Sequence, residues 1–330
     1  MTGSFDFETR EPEYYICPRA IVTPRLTGKL DVEIWGHAPW TADFVDIEGD
    51  RQPVPRFRTR AKMLWDDDFF YVGALMEEPH LCGWITEHDA VMYFDNDFEV
   101  FVDPAGRGHH YGELEVNVLN ATWDLMLTRP YRSGGSAISG WEMHGVSTAV
   151  HLDGTLNDPS DTDNGWSVEI AIPWTALKEC GGSGKTPADG DQWRVGFSRV
   201  EWRYDIVDGA YVKVPDRRED NWVWSPQDAI DMHRPERWGV VQFSSTTTDL
   251  PAARPLAGWL DRLTLIRLWE AQDAYFRENG AYARDIGELG LQIPNLEMDA
   301  TATQFEARLG VHWIDHNLHL APDVAGFSKS

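Results

Sequence analysis

Short stretches of strictly alternating apolar and polar residues dominate the middle of the chain. In 98–102, Phe98, Val100 and Val102 fall on one side; Glu99 and Phe101 fall on the other, with Asp103 continuing that second set. In 114–118, Leu114, Val116 and Val118 oppose Glu115 and Asn117. In 166–172, Trp166, Val168, Ile170 and Ile172 oppose Ser167, Glu169 and Ala171, while 193–197 brings Trp193, Val195 and Phe197 together. A period of two, repeated over several short segments with turn signals between them, predicts antiparallel strands that each bury one face. Many such strands predict a mainly-β chain, an antiparallel and jelly-roll-like β-sandwich. Upstream, Ala61–Trp65 and Phe69–Met76 flank Asp66, Asp67 and Asp68 and read as a hairpin. Short strands are expected at 13–22 and 55–64. Segment 29–40 reads as an opening strand followed by a loop, with Trp35 and Trp40 as packing residues. Residues 172–179 read as one helical turn after a strand, and 181–191 as a flexible loop.

Near residue 245 the period changes. Segment 256–283 carries Leu260, Leu263, Ile266, Leu268 or Trp269, Tyr275 and Phe276 at helical spacing, with Gly280 as a stop. The tail, 305–320, reads as a short hairpin around Asp315–Asn317. The expected organisation is therefore a β-sandwich with an N-terminal extension over 1–245. A C-terminal helical extension packed on it would occupy 246–330.

Charge narrows the partners. A formal net charge of −25 argues against nucleic acid and anionic membrane surfaces, which call for Lys and Arg. It permits neutral ligands, cationic ligands and divalent metals; solubility alone also accounts for it. Cys17, Cys82 and Cys180 form no CxxC pair, so neither a zinc ribbon nor a redox motif is indicated, and at most one disulfide is available. The opening residues lack a basic region followed by an apolar one, and no apolar run reaches the roughly 18 residues of a membrane span. The expected location is the cytoplasm for the chain as it stands, or outside the cell for a processed product.

Sixteen Trp punctuate the ends of the strand-length segments. Buried, Trp anchors a sandwich; at a sheet rim it stacks on flat ligands such as sugar rings. The segments WDDDFFYVGA, DNDFEVFVDP, EVNVLNATWDL, GWSVEIAIPW, GDQWRVGFSRVEW and PERWGVVQF occur in that order. Over roughly residues 25–243 the chain resembles the family 9 carbohydrate-binding modules and family 9-like proteins, whose sandwich is related to DOMON-type haem and sugar domains. The resemblance implies a Trp-clamped sugar, hydroxyls read by polar residues of one sheet face, and structural calcium. The departure from the family pattern is that no hydrolase partner accompanies the module in this sequence.

Six groups are candidates for chemistry. Glu99, Asp103, Glu115, Asn117 and Glu169 are expected to share a polar sheet face beside Trp123, either reading sugar hydroxyls or simply solvated. Arg199 and Glu201 continue the buried phase of Trp193, Val195 and Phe197. As buried charges they call for partners, in a structural network or a pocket. Asn221, Trp222 and Trp224 follow a long loop and are the expected ring-stacking set, whereas Trp166 and Trp193 are expected in the core. Asp158, Asp161 and Asp163 are the raw material of a calcium loop or of a polar turn. His312, His316 and His319 would make a metal face on a helix, but Asp315–Asn317 reads as a turn that breaks it. His109, His110 and Tyr111 beside Glu113 and Glu115 could supply acid–base chemistry.

The leading expectation is a carbohydrate-binding protein with a saccharide ligand. Its ligand-binding residues would be Trp123, Trp222, Trp224, Glu99, Asn117 and Asn221. The alternative is a stand-alone lyase, isomerase or cyclase using His110, Tyr111, Glu115, Arg199 and Glu201. A haem relative would need axial ligands, and the eight Met select no pair.

Overall fold

The computed structural model describes residues 10–30 and 32–322. Most of the N-terminal stretch read for a leader lies outside the described residues. Two compact units emerge, one over Tyr14–Arg254 and one that contains Pro255–Ser330.

The first unit is a sandwich. Its strands are β1 (Tyr14–Pro18), β2 (Val45–Asp46), β3 (Thr59–Trp65), β4 (Phe69–Glu77), β5 (Asp97–Asp103), β6 (Tyr111–Asn117), β7 (Thr122–Leu127), β8 (Ala137–Ile138), β9 (Ser147–Asp153), β10 (Gly165–Pro173), β11 (Gln192–Glu201), β12 (Tyr204–Val207), β13 (Ala210–Lys213), β14 (Asp220–Val223) and β15 (Gly239–Ser244). The larger sheet runs β1-β15-β11-β5-β6-β7-β8. β14 pairs with the far end of β11 beside β15 and carries β2. The smaller sheet is β3-β4-β10-β9, and β12 and β13 make a separate hairpin. The predicted alternation holds. Phe98, Val100, Leu114, Val116, Trp166, Val168, Ile170, Val195 and Phe197 all face the core between the sheets. Trp193 packs against that core while partly buried.

The acidic triplet is indeed a turn. Asp66 accepts hydrogen bonds from the backbone N–H groups of Asp68 and Phe69, both at 2.9 Å, and joins β3 to β4. Two glycines give aromatic rings their seats. A Cβ on Gly239 would stand 2.4 Å from the Trp224 ring in the core. One on Gly196 would meet the Trp238 ring at 2.9 Å on the opposite face of the same sheet.

The expected opening strand in 29–40 is instead a short helical turn, α1 (Val32–Trp35). This segment lies over the outer face of the smaller sheet, where Trp35 packs with Leu64, Tyr71 and Ala171. Glu169 is buried beneath it, accepting from Trp35 Nε1 and from the N–H groups of Thr27 and Gly28, all at 2.6 Å. Glu169 therefore does not share a face with Glu99 and Glu115, because β10 belongs to the other sheet.

The second unit is not purely helical. It holds α2 (Trp259–Asn279), capped by left-handed Gly280, and a sheet of β16 (Glu297–Ala300), β17 (Phe305–Leu309), β18 (His312–Asp315) and β19 (Leu320–Pro322). Leu265, Ile266, Leu268 and Trp269 pack against Phe305, Ala307, Ile314 and Leu320, so the unit has its own core. Leu260 points outward at 61% exposure. The first turn of the tail falls at Gly310–Val311 between β17 and β18, and 315–317 makes the next one. His312 is buried on a strand, so the three His do not form a helical metal face.

Candidate functional site

The outward side chains of β5, β6, β7 and β11 floor a cavity of about 560 Å³, within the roughly 300–1,000 Å³ usual for small-ligand sites. Period-two geometry determines which residues reach it: Glu99 and Glu115 stand directly opposite across β5 and β6, and Trp123 stands opposite Glu115 across β6 and β7. Glu113 is two residues along β6 from Glu115 on the same face. Glu99, Glu113, Glu115, Trp123, Leu125 and Val200 line the cavity from the sheet. Tyr93, Tyr131, Asn221, Glu219 and the stretch Ile230–His233 line it from the surrounding segments. Tyr93 and Tyr131 are 40% and 48% exposed and form an aromatic rim.

The floor is short of hydrogen-bond donors. Glu99 Oε2, Glu113 Oε2 and Glu115 Oε2 are buried and accept no hydrogen bond, and neither oxygen of neighbouring Asp97 does. Trp123 Nε1 is buried with no acceptor. Burial pushes Asp97, Glu113 and Glu115 well above the usual carboxylate range, and repulsion from the neighbouring carboxylates adds to it. Burial raises Glu99 to about 7, drawn partly back by the Ser198 hydroxyl. Near neutral pH the floor is a mixture of protonated and ionised carboxyls, able both to donate and to accept.

The expected site residues are sorted by this geometry. Trp123, Glu99, Glu115 and Asn221 meet at the cavity. Asn117 lies on the same face but is bound to Ile85 O at 2.8 Å and Asp95 Oδ2 at 3.0 Å, bracing the edge of the floor. Asp103, at the other end of β5, accepts from Gly108 N at 2.7 Å. Trp222 and Trp224, expected to stack on a ligand, are 3% and 2% exposed and belong to the sandwich core, which corrects that expectation. Their strand phase carries them inward: Trp222 faces Arg199 on β11, and Trp224 stacks on Phe197 with ring centroids 5.5 Å apart.

The acid–base set is not assembled. His110 is exposed on a turn, with φ +50°. Tyr111 is fully buried beside Trp238, and its hydroxyl lies 3.0 Å from His233 Nδ1. Arg199 and Glu201 point to the inner face. There Arg199 Nη2 donates to Glu78 and Glu201, each at 2.8 Å, and Nη1 donates to Thr59 Oγ1 and Glu77 O. They form a structural network rather than part of the cavity.

Asp158, Asp161 and Asp163, read as the raw material of a calcium loop or of a polar turn, lie in a segment that Asp163 ties to its neighbours. The Asp163 carboxylate accepts from Leu81 N and Thr155 N at 2.8 and 2.7 Å. Among the described residues, acidic and His side chains converge closely enough for a metal ion elsewhere: at His88, Asp124 and Glu142, and at Asp97, Glu99 and Glu115. Glu113, Tyr93 and Tyr131 escaped the expected ligand-binding set. Glu113 carried a signal, its spacing of two from Glu115. The tyrosines lie in single 3-10 turns, Met92–Phe94 and Tyr131–Ser133, whose approach to the floor no local pattern encodes.

A mostly antiparallel sandwich, with β1 parallel to β15 and a cavity on one outer sheet face floored by carboxyls and rimmed by aromatics, defines a small-molecule binding module. Residues 26–245 match the family described as Carbohydrate family 9 binding domain-like, and the chain belongs to it. Among curated proteins it is similar to Exoglucanase XynX of Acetivibrio thermocellus, 28% identical over 47% of this chain. It is also similar to Endo-1,4-beta-xylanase A of Thermoanaerobacterium saccharolyticum, 27% identical over 49% of this chain. The match spans only 12% of the length of each. Among solved structures, a family 9 module from Caldicellulosiruptor kristjanssonii in complex with cellotriose aligns at 15% identity, TM-score 0.47, over 73% of this chain and 100% of that one. A candidate carbohydrate-binding protein from Bacteroides uniformis aligns at 14% identity, TM-score 0.52, over 71% and 100%, a likeness of fold.

Proposed function

We propose that this protein binds a saccharide in the cavity over β5, β6, β7 and β11, with Trp123 against a sugar ring and Glu99, Glu113 and Glu115 reading its hydroxyls. One observation carries the reading: four buried polar groups, the three Glu Oε2 atoms and Trp123 Nε1, face an aromatic-rimmed cavity without partners. A buried unpaired polar group costs about 1–3 kcal/mol, and a sugar offers both donors and acceptors to satisfy it. Family membership supports the same class of ligand. The rim tyrosines supply the apolar faces that the C–H side of a pyranose prefers. Isothermal calorimetry of the full chain against gluco-, xylo- and manno-configured mono- and oligosaccharides tests this. Binding that weakens at least tenfold in Trp123→Ala and in Glu115→Gln is the expected result. No heat with any sugar, with or without calcium, overturns it.

A further inference from the structure

We propose that Tyr93 and Phe94 form an exposed platform that carries a sugar chain onward from the cavity, so that the ligand is a linear oligosaccharide and not a single sugar. The inference rests on the saccharide reading of the cavity and adds a second binding surface to it. Tyr93 lines the cavity, and its ring lies against that of Phe94, with centroids 4.8 Å apart and planes turned by 49°. Phe94 stands outside the cavity lining and is 54% exposed, beside Tyr93 at 40%. Met92 takes the one buried position of their turn, which leaves both aromatic rings to solvent. Two adjacent rings in water forgo the burial that such side chains otherwise gain.

The rest of the molecule holds this turn in place. Trp202 Nε1 donates to Tyr93 O at 2.8 Å, and Lys213 Nζ donates to Phe94 O while lying 3.6 Å from the centroid of the Trp202 ring. The next residue, Asp95, is 2% exposed; its N–H donates to Met92 O at 2.8 Å. Asp95 Oδ2 accepts from Trp84 N, Ile85 N and Asn117 Nδ2 at 2.8, 2.9 and 3.0 Å. Rings on a backbone fixed at both carbonyls lose little freedom when a ligand covers them. Contiguous exposed apolar surface marks an interaction site, and here continuity names the occupant. Tyr93 belongs both to the cavity wall and to the pair, so a chain that leaves the cavity past Tyr93 meets Phe94 next. Phe94 has no hydrogen-bonding group on its side chain. It takes the C–H face of a pyranose and leaves the hydroxyls in water. The angle between the two planes suits a chain whose successive rings turn relative to one another. The carboxyl floor would select the sugar in the cavity, while the platform adds affinity for the residues beyond it with little regard to their hydroxyls.

The test is calorimetry of the full chain against gluco-, xylo- and manno-configured series, from the monosaccharide to the pentasaccharide. In the series that binds, the pentasaccharide should bind about three- to tenfold more tightly than the disaccharide, the range of one added aromatic contact. Phe94→Ala should bring that ratio close to one, and Phe94→Tyr should retain it. Trp123→Ala should weaken short and long sugars by the same factor and so leave the ratio as it is. Light scattering of the parent and of Phe94→Ala accompanies the titrations. The proposal fails if affinity does not rise with chain length or if the gain survives in Phe94→Ala. It also fails if Phe94→Ala lowers the molecular mass in solution, which assigns the platform to a second copy of this chain. The two readings fail differently. No heat at any length overturns the saccharide reading and the platform with it, whereas Trp123-dependent binding of short sugars without a gain in length overturns the platform alone.

Discussion

Replacing Arg199 by Met should remove one of the most connected groups in the sandwich. The guanidinium is 1% exposed and makes five hydrogen bonds: two to Glu201, and one each to Glu78, Thr59 Oγ1 and Glu77 O. It also lies over the Trp222 ring, 5.1 Å from the centroid. Met fills most of the volume, so the cavity contribution is small. The loss comes from Glu78 and Glu201, 3% and 2% exposed, which are left without their cation. Breaking a buried pair in this way costs about 3–5 kcal/mol. Glu201 keeps Asn96 Nδ2 at 3.1 Å and Arg56 at 3.5 Å, and Glu78 keeps His80 N at 2.9 Å, which places the expectation near the lower end, about 3 kcal/mol. Burial and Glu78 already hold Glu201 well above the usual carboxylate range, and losing Arg199 raises it further. The destabilisation should therefore shrink as pH falls and Glu201 protonates, because the folded state then binds more protons than the unfolded. Urea unfolding of the sandwich, followed by Trp fluorescence at pH 7 and pH 5, measures both effects. Arg199→Met/Glu78→Gln/Glu201→Gln should recover most of the loss. A single-variant loss below about 1 kcal/mol, or no recovery in the triple variant, refutes the assignment of this network to stability.

Three further outcomes follow. His233 is partly buried beside Tyr111, and desolvation lowers it to about 4. Its folded value lies below the unfolded one of about 6.5, so its contribution is complete above pH 6.5 and is lost as pH falls toward 4, about 3 kcal/mol in all. His233→Gln should lack that slope; parallel stability curves for the two proteins between pH 7 and 4.5 would exclude it. Trp224→Ala should lose about 3–5 kcal/mol of stability, as buried aromatics do, and keep ligand affinity when folded. Trp123→Ala should do the reverse, so the two variants assayed by calorimetry and urea unfolding separate core Trp from ligand Trp. Cys17, Cys82 and Cys180 are free and buried, and burial pushes Cys180 up to about 12. At pH 8 a disulfide reagent should find no fast-reacting thiol in the native protein and three after denaturation; a reactive native thiol contradicts the packing.

The alternation of residues was enough to determine the strands, the hairpin at Asp66–Asp68 and the class of fold, because side-chain direction in a strand is fixed locally by the pleat. The same periodicity put Glu99 and Glu115 outside and Arg199 and Glu201 inside. Helical spacing likewise identified α2, since one buried stripe leaves a mark on the sequence that lies under it. What alternation cannot carry is which sheet a strand joins. Glu169 has the phase of Glu99, yet β10 pairs with β4 and β9, so Glu169 became the anchor of the N-terminal segment and not part of the floor. Trp222 and Trp224 look like loop-end aromatics in the sequence. Only the insertion of β14 beside β15 along one edge of β11 turns them into the core, with Gly239 opening the space for Trp224. The cavity itself belongs to tertiary structure alone: Tyr93, Tyr131, Asn221 and His233 come from four separate stretches. Its electrostatics arise because the strand order sets Asp97, Glu99, Glu113 and Glu115 side by side, out of water, with no Lys or Arg among the described residues paired to them. Four acidic residues are unremarkable along the chain; brought together on two paired strands, they become one buried acidic cluster on the outer face of the larger sheet.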